Sequence, residues 1–187
     1  MKRFFLLPIF FICLFYSQIT ALASDQDNVF DKQLTFNNEV YFLTYSRTSE
    51  KYTINEYTRK NETVHKWNKL IAVRFWVNPN INLKKFIKDT YSKQKDNYIP
   101  LSISCNENVA LISFIMLAPN YIEYNCWKYC YADKYLTAIQ YARKFKITKK
   151  TTAENLMKRI QTHHNQISPI INKDLPIGVT LKNIGDD

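Results

Sequence analysis

The segment VALISFIMLAPNYIEYNCWKYCYADKYLTAIQYARKF, residues 109–145, has the composition of three β-strands, because β-branched and aromatic residues dominate it. The turn sequences PN (119–120) and ADK (132–134) divide it. Strands that are joined by such short turns pair as antiparallel neighbours. The first strand, residues 109–117, is apolar on both faces, so we expect it to lie centrally beneath a covering layer.

The rest of the chain adds further strands and two amphipathic helices. The other predicted strands span residues 40–46, 52–59, 70–77 and 98–105, and the helices begin near residues 82 and 151. The first helix places Leu83, Phe86, Ile87 and Tyr91 on one face, at the spacing of a helical stripe. The predicted fold class is α+β: a single domain with a twisted antiparallel sheet of about seven strands, in the order β-β-β-α-β-β-β-β-α, and two helices packed on it.

The second helix is predicted to end near Pro169, because proline cannot continue the helical hydrogen-bond pattern. We expect its apolar face to comprise Ala153, Leu156, Met157, Ile160, His164 and Ile167. His164 is therefore predicted to be a packed core histidine. Residues 172–187 have weak patterning and are predicted to form a weakly structured tail.

The first residues predict export. Lys2 and Arg3 precede an apolar run of about thirteen residues, which is shorter than the ~20 residues that a membrane-spanning helix needs. Ala21-Leu22-Ala23 then has the small residues of a signal-peptidase site. We expect residues 1–23 to be a signal peptide and residues 24–187 to be a single domain without a transmembrane segment. The predicted location is periplasmic or secreted.

The charge and the glycine content restrict the classes of function. Removal of Lys2 and Arg3 from the 26 basic residues leaves 24 against 16 acidic ones, a net charge of +8. This balance favours anionic partners such as lipid headgroups or cell-wall polymers, and export disfavours nucleic acid. The expected partner is an unknown protein or an anionic envelope polymer. The chain has two glycines, Gly178 and Gly185, so it lacks a phosphate-binding loop, a dinucleotide fingerprint and a nucleophile elbow.

The cysteine spacing excludes one disulfide and leaves others open. Cys126 and Cys130 lie four residues apart in a predicted strand, which separates them by about 13 Å. A disulfide needs Cα atoms within about 7 Å, so these two cannot bond to each other. A Cys105–Cys130 or a Cys105–Cys126 bridge is open in an exported protein, as are buried free thiols. No second ligand pair accompanies this spacing, so we predict neither a metal site nor a cofactor.

Thirteen tyrosines and three tryptophans predict an aromatic face that contacts a partner. The candidate binding residues are Glu56, Tyr57, Trp67, Glu123, Tyr124, Trp127, Tyr129 and Tyr141. The favoured function is that of a small, non-enzymatic binding or interaction protein. Two alternatives are an exported hydrolase or thiol enzyme that uses Glu56, Glu123 or a cysteine, and a secreted effector that acts on a host.

The segment NEYTRKNETVHKW, residues 55–67, has a Glu-Tyr pair followed by Glu-Thr, three residues and Trp. This pattern resembles small exported bacterial proteins of unknown function, and the likeness extends over residues 40–145. Those proteins usually have Gly where this chain has Asn61. The resemblance implies an exported α+β domain and no established chemistry.

We expect the signal peptide to be removed after Ala23, because a short apolar run ends there in Ala-Leu-Ala. Intact-mass analysis of the exported protein should give a chain that begins at Ser24. A mass that includes Met1 would contradict this prediction.

Overall fold

The computed structural model describes residues 32–77, 79–92, 98–132 and 135–173, so the predicted signal peptide and most of the predicted tail lie outside the described residues. The strands are β1 (Gln33–Phe36), β2 (Glu39–Ser49), β3 (Tyr52–Thr58), β4 (Lys69–Val77), β5 (Tyr98–Cys105), β6 (Val109–Ala118), β7 (Tyr121–Ala132) and β8 (Tyr135–Lys146), and the helices are α1 (Leu83–Ser92) and α2 (Ala153–Lys173). Neither helix is long and apolar enough to cross a membrane, within the part of the chain that the structure describes.

A single antiparallel sheet contains the eight strands in the order β1-β2-β3-β4-β8-β7-β6-β5. The α+β class is confirmed, but the predicted count of about seven strands is too low. The missed strand is β1, which is four residues long and turns into β2 through Asn37 and Asn38. Both asparagines have positive φ, 48° and 61°, as a two-residue type I′ hairpin turn requires. Without a glycine in the turn, this short hairpin has only a weak sequence signal.

The chain contains the same arrangement twice, four strands followed by a helix. The strands β1–β4 form one meander and β5–β8 form another. β4 pairs with β8 over nine residue pairs, from Lys69↔Arg143 to Val77↔Tyr135, and this pairing joins the two meanders into one sheet. The element order is therefore β-β-β-β-α-β-β-β-β-α.

The two helices pack on opposite faces of the sheet, which we name the α1 face and the α2 face. The α1 face buries Ile112 of β6 against Leu83 of α1. The α2 face buries Tyr124 of β7 and Tyr141 of β8 against Ile160 of α2. Because side chains alternate along a strand, β7 and β8 contribute to both hydrophobic clusters.

The apolar segment at residues 109–117 is covered as predicted, but it is not central in the strand order. β6 is second from the edge of the sheet. Its Ile112 faces α1 and its Ile115 faces α2, and both side chains are fully buried. The apolar character of β6 therefore reflects a helix on each face.

Helix α2 does not end near Pro169, as the sequence predicted, but continues to Lys173. Proline in a helix interior removes one backbone hydrogen bond. Ile167 and Ile171 are buried on either side of Pro169, so packing on the sheet holds the last turns in helical conformation.

The buried face of α2 also differs from the prediction. His163 is 6% exposed, whereas His164 is only partly buried and Met157 is 38% exposed. Ile160 and Ile167 set the rotation of the helix on the sheet. Adjacent residues point about 100° apart, so this rotation turns His163 toward β8.

His163 is held between two side chains of β8. Its Nδ1 is 3.0 Å from Arg143 Nη1, which can only donate, so Nε2 carries the ring proton and donates to Tyr141 Oη at 3.1 Å. Burial, and then the positive charges of Arg143 and Lys69, lower the pKa of His163 to about 4. The imidazole is therefore neutral at neutral pH.

Glu62 organises the loop between β3 and β4. Its Oε1 accepts a hydrogen bond from Arg59 Nη2 at 2.6 Å and from the backbone and side-chain amides of Asn68 at 3.2 Å. These partners outweigh partial burial and lower the pKa of Glu62. Asn61 has a φ of 67°, which glycine adopts without strain, so the glycine of the resembled pattern would fit the same backbone. The Glu of the Glu-Thr-x-x-x-Trp motif has a structural role here.

We predict that Ile160→Ala lowers the free energy of unfolding by about 2–5 kcal/mol, because the substitution leaves a cavity between α2 and the sheet. Urea unfolding at neutral pH measures the change. Met157→Ala on the exposed side of α2 is the control and should change the free energy by less than about 0.5 kcal/mol. Equal losses in both variants would contradict the described rotation of α2.

We predict that His163 makes the protein less stable as the pH falls from 7.5 to 5. Its folded-state pKa of about 4 lies below the ordinary value of 6.5, so the unfolded chain binds a proton in this range and the folded protein does not. The free energy of unfolding is therefore expected to be about 2 kcal/mol lower at pH 5 than at pH 7.5.

The variant His163→Gln has no titrating group at this position. Urea unfolding at both pH values should therefore show a smaller loss of stability for the variant than for the wild type. Equal losses in the two proteins would contradict the low pKa.

Candidate ligand-binding cleft

A chain of five polar side chains crosses the α1 face. Arg74 Nη2 is 3.7 Å from Glu56 Oε1, and Arg74 Nη1 donates to Gln140 Oε1 at 2.8 Å. Gln140 Nε2 donates to Asn125 Oδ1 at 2.7 Å, and Asn125 Nδ2 donates to Glu123 Oε1 at 3.0 Å. The two acids that the sequence singled out, Glu56 and Glu123, are therefore the ends of one network that spans β3, β4, β8 and β7.

Small residues make room for this network. Ala72 lies opposite Gln140, and Ala142 lies opposite Asn125, and both alanines are fully buried. Asn125 is 1% exposed and Gln140 is 9% exposed. A buried amide without a partner costs about 1–3 kcal/mol, so the hydrogen bonds within the network offset its burial.

Aromatic side chains form the walls of a cleft beside the network. Tyr52 and Trp76 are register partners on β3 and β4, and their ring centroids are 5.2 Å apart. On β7, Trp127 stacks on Tyr129 with centroids 5.6 Å apart and an angle of 16° between the rings. Phe86 of α1 meets Tyr129 edge-on at 5.7 Å.

These five aromatic residues and Arg74 line the aromatic cleft, a pocket of about 370 Å³. The guanidinium carbon of Arg74 is 4.5 Å from the centroid of the Trp127 ring, a cation–π contact. The indole N–H of Trp127 is buried and has no hydrogen-bond partner among the described residues. Burial raises the pKa of Tyr129 to about 12, so its hydroxyl stays protonated.

The aromatic cleft has the features of a small-molecule site. Its volume lies within the range of about 300–1,000 Å³ that such sites occupy. A guanidinium has five N–H donors, and the contacts to Gln140 and Glu56 leave several of them for a ligand. The arrangement can bind a flat, largely apolar group that carries hydrogen-bond acceptors.

The predicted binding residues divide between the two faces. Glu56, Glu123, Trp127 and Tyr129 lie on the α1 face, in the network or in the cleft. Tyr57, Tyr124 and Tyr141 are at most 1% exposed and belong to the core of the α2 face. Alternation along a strand separates the two groups, since even and odd positions of β7 face opposite ways.

Trp67 does not line the cleft. It packs on Leu70, Ala72 and Ala142 of the α1 face. The Lys144 Nζ lies 3.8 Å from the centroid of its ring. Burial lowers the pKa of Lys144. Trp67 therefore anchors the loop between β3 and β4 on the sheet.

Four residues of the cleft were not predicted: Tyr52, Arg74, Trp76 and Phe86. Arg74 and Trp76 alternate with buried apolar residues in β4, and this alternation is a sequence signal for a shared face. Their closeness to Trp127 depends on β8, which lies between β4 and β7. The strand order could not be deduced from alternation within one strand.

The three cysteines in the described residues are free thiols. Cys126 and Cys130 lie in β7 and are not bonded to each other, as predicted. Neither of the two bridges that the sequence left open, Cys105–Cys130 and Cys105–Cys126, is formed. Cys105 is paired with Ala110 and Cys130 with Val109, which are adjacent residues of β6, so the two thiols lie on opposite faces.

The chemistry of these thiols and of the other possible metal ligands is limited. Burial raises the pKa of Cys105, Cys126 and Cys130, whereas a thiolate nucleophile needs a lowered pKa. Within the described ranges, the His, Cys, Asp and Glu side chains form no group of three or more that could hold a metal ion.

Comparison with known proteins assigns the chain to a family. No curated protein matches the chain. A protein-family model matches residues 29–173, a range that contains every described strand and helix. The chain therefore belongs to the uncharacterised family that this model describes.

Proposed function

We propose that the protein is an exported binding protein that holds a small ligand in the aromatic cleft and performs no chemical step on it. The observation that carries this proposal is the convergence of five aromatic rings and one guanidinium in one pocket of about 370 Å³. Aromatic residues and arginine are the side chains that contribute most to binding energy at recognition sites.

The lining indicates the chemistry of the ligand. The ring faces and edges favour a flat apolar group, and Arg74 favours a hydrogen-bond acceptor or an anionic group on it. Glu56 lies 3.7 Å from Arg74 and balances part of its charge, so the ligand needs no more than one negative charge. The expected ligand is a planar, mostly apolar molecule with one acidic or acceptor group.

The contacts favour binding over the hydrolase or thiol-enzyme alternative. The carboxylate of Glu56 is paired with Arg74, and that of Glu123 accepts a hydrogen bond from Asn125. The cysteine thiols are kept protonated by burial. The two carboxylates and their partners in the network hold one another in position across the sheet. Binding is the function that this arrangement supports best.

Anilinonaphthalene sulfonate, a planar aromatic anion, is a suitable probe of the cleft. We expect saturable binding with a rise in probe fluorescence. Trp76→Ala removes a wall, and Arg74→Lys keeps the charge but removes the planar donor array. We expect each change to weaken binding by at least about tenfold, since each removes a contact worth about 1.4 kcal/mol or more.

The control is Tyr45→Ala, which removes an exposed aromatic side chain outside the cleft and should leave the affinity within about twofold. Near-ultraviolet circular dichroism confirms that each variant is folded. An equal loss of probe affinity in Tyr45→Ala would contradict the proposal. The absence of saturable probe binding to the folded wild type would contradict it as well.

A further inference from the structure

A second pocket, on the α2 face, lies between β8 and α2 and is separate from the aromatic cleft. It has a volume of about 430 Å³. Its buried side is formed by Phe145 and His163, and Arg143 lies beside them. Lys158 and Arg159, which are exposed on α2, form the outer wall. We name these five residues the basic pocket.

Three positive charges converge there without a carboxylate. The guanidinium carbons of Arg143 and Arg159 lie 4.8 Å and 5.7 Å from the centroid of the same Phe145 ring. No Asp or Glu lines the pocket. Among the ion pairs of the described residues, none includes Arg143, Lys158 or Arg159.

Glu154 lies one turn before Lys158 on α2, but neither it nor another acid forms an ion pair with the three cations within the described residues. Arg143 lies directly opposite Lys69 across the β4–β8 pairing, and Lys69 is ion-paired with Glu39. Arg143 instead donates to His163, which is neutral because it accepts that hydrogen bond at Nδ1. Like charges that line one pocket repel each other, and an anion bound there would offset the repulsion.

We propose that the basic pocket binds a phosphate group. A phosphate monoester carries about 1.5 to 2 negative charges at neutral pH, which suits three cations better than a single carboxylate does. The planar donor arrays of Arg143 and Arg159 match the geometry of phosphate oxygens, and Lys158 contributes a point charge. The buried ring of Phe145 packs against both guanidinium groups and holds them beside each other.

The source of the phosphate is tested with three probes: inorganic phosphate, glycerol phosphate, and phosphatidylcholine vesicles that contain phosphatidic acid. Affinities for the full mature chain are measured at one fixed ionic strength, by calorimetry for the two soluble probes and by sedimentation for the vesicles. We expect saturable binding to at least one probe. Sodium acetate and vesicles of phosphatidylcholine alone are the reference ligands.

Lys158→Gln with Arg159→Gln removes two exposed charges, and its one effect on the core is the loss of the contact between Arg159 and the Phe145 ring. We expect this double variant to lose at least about tenfold in affinity. Lys173→Gln neutralises an exposed lysine on the same helix outside the pocket, and it should change the affinity by less than about twofold.

Selective loss in the double variant supports the proposal, and the probe that binds most tightly identifies a free phosphate, a small phosphate ester or a lipid headgroup as the source. No saturable binding to any of the three probes would overturn it. An equal loss in Lys173→Gln, or equal affinity for acetate, would overturn it as well. Retention of the fold is checked by the midpoint of thermal unfolding.

Discussion

The pairing of β4 with β8 is the contact on which the rest of the molecule depends. It joins two meanders that are far apart in the sequence, so its formation must offset the entropy of closing a long loop. Ile71, Ala72 and Val73 on β4 and Ala138 and Ile139 on β8 are almost fully buried, on both faces of the sheet. A shift of one residue in this register would move every side chain of one strand to the wrong face. Burial on two faces therefore specifies the register strongly.

The aromatic cleft lies across this pairing, and the basic pocket borders it on the β8 side. On the α1 face, Arg74 of β4 donates to Gln140 of β8, and this hydrogen bond holds the guanidinium at the base of the aromatic cleft. On the α2 face, Lys69 and Arg143 are direct register partners. Like charges at such positions destabilise a sheet. Glu39 contacts Lys69, and neutral His163 accepts a hydrogen bond from Arg143, so each cation has a separate partner.

The two faces differ in how their charges are balanced. The single guanidinium of the cleft belongs to a network that ends in two carboxylates, Glu56 and Glu123, and aromatic rings form the rest of the lining. The basic pocket on the other face has three cations and no acidic side chain in its lining. One sheet thus has an aromatic pocket on one face and a basic pocket on the other.

Much of the fold could be predicted from local patterns. Hydrophobic periodicity and turn residues were sufficient to predict seven strands and the first helix, because those signals are contained in short segments. The absence of a Cys126–Cys130 bond also followed from strand geometry alone. β1 was missed because a four-residue strand after an Asn-Asn turn gives little periodicity. Helix α2 passed through Pro169 because burial of Ile167 and Ile171 outweighed the local preference of proline.

The sequence by itself determined which side chains share a face within one strand, since that depends only on the two-residue repeat. It placed Glu123, Trp127 and Tyr129 on one face of β7 and Tyr124 on the opposite face. Only the tertiary structure decided which strands are neighbours and which helix covers each face. Arg74 meets Trp127, and His163 meets Arg143, through contacts between segments that are distant in the chain. Such contacts arise from the burial of whole faces, and the alternation within any one segment contains no information about them.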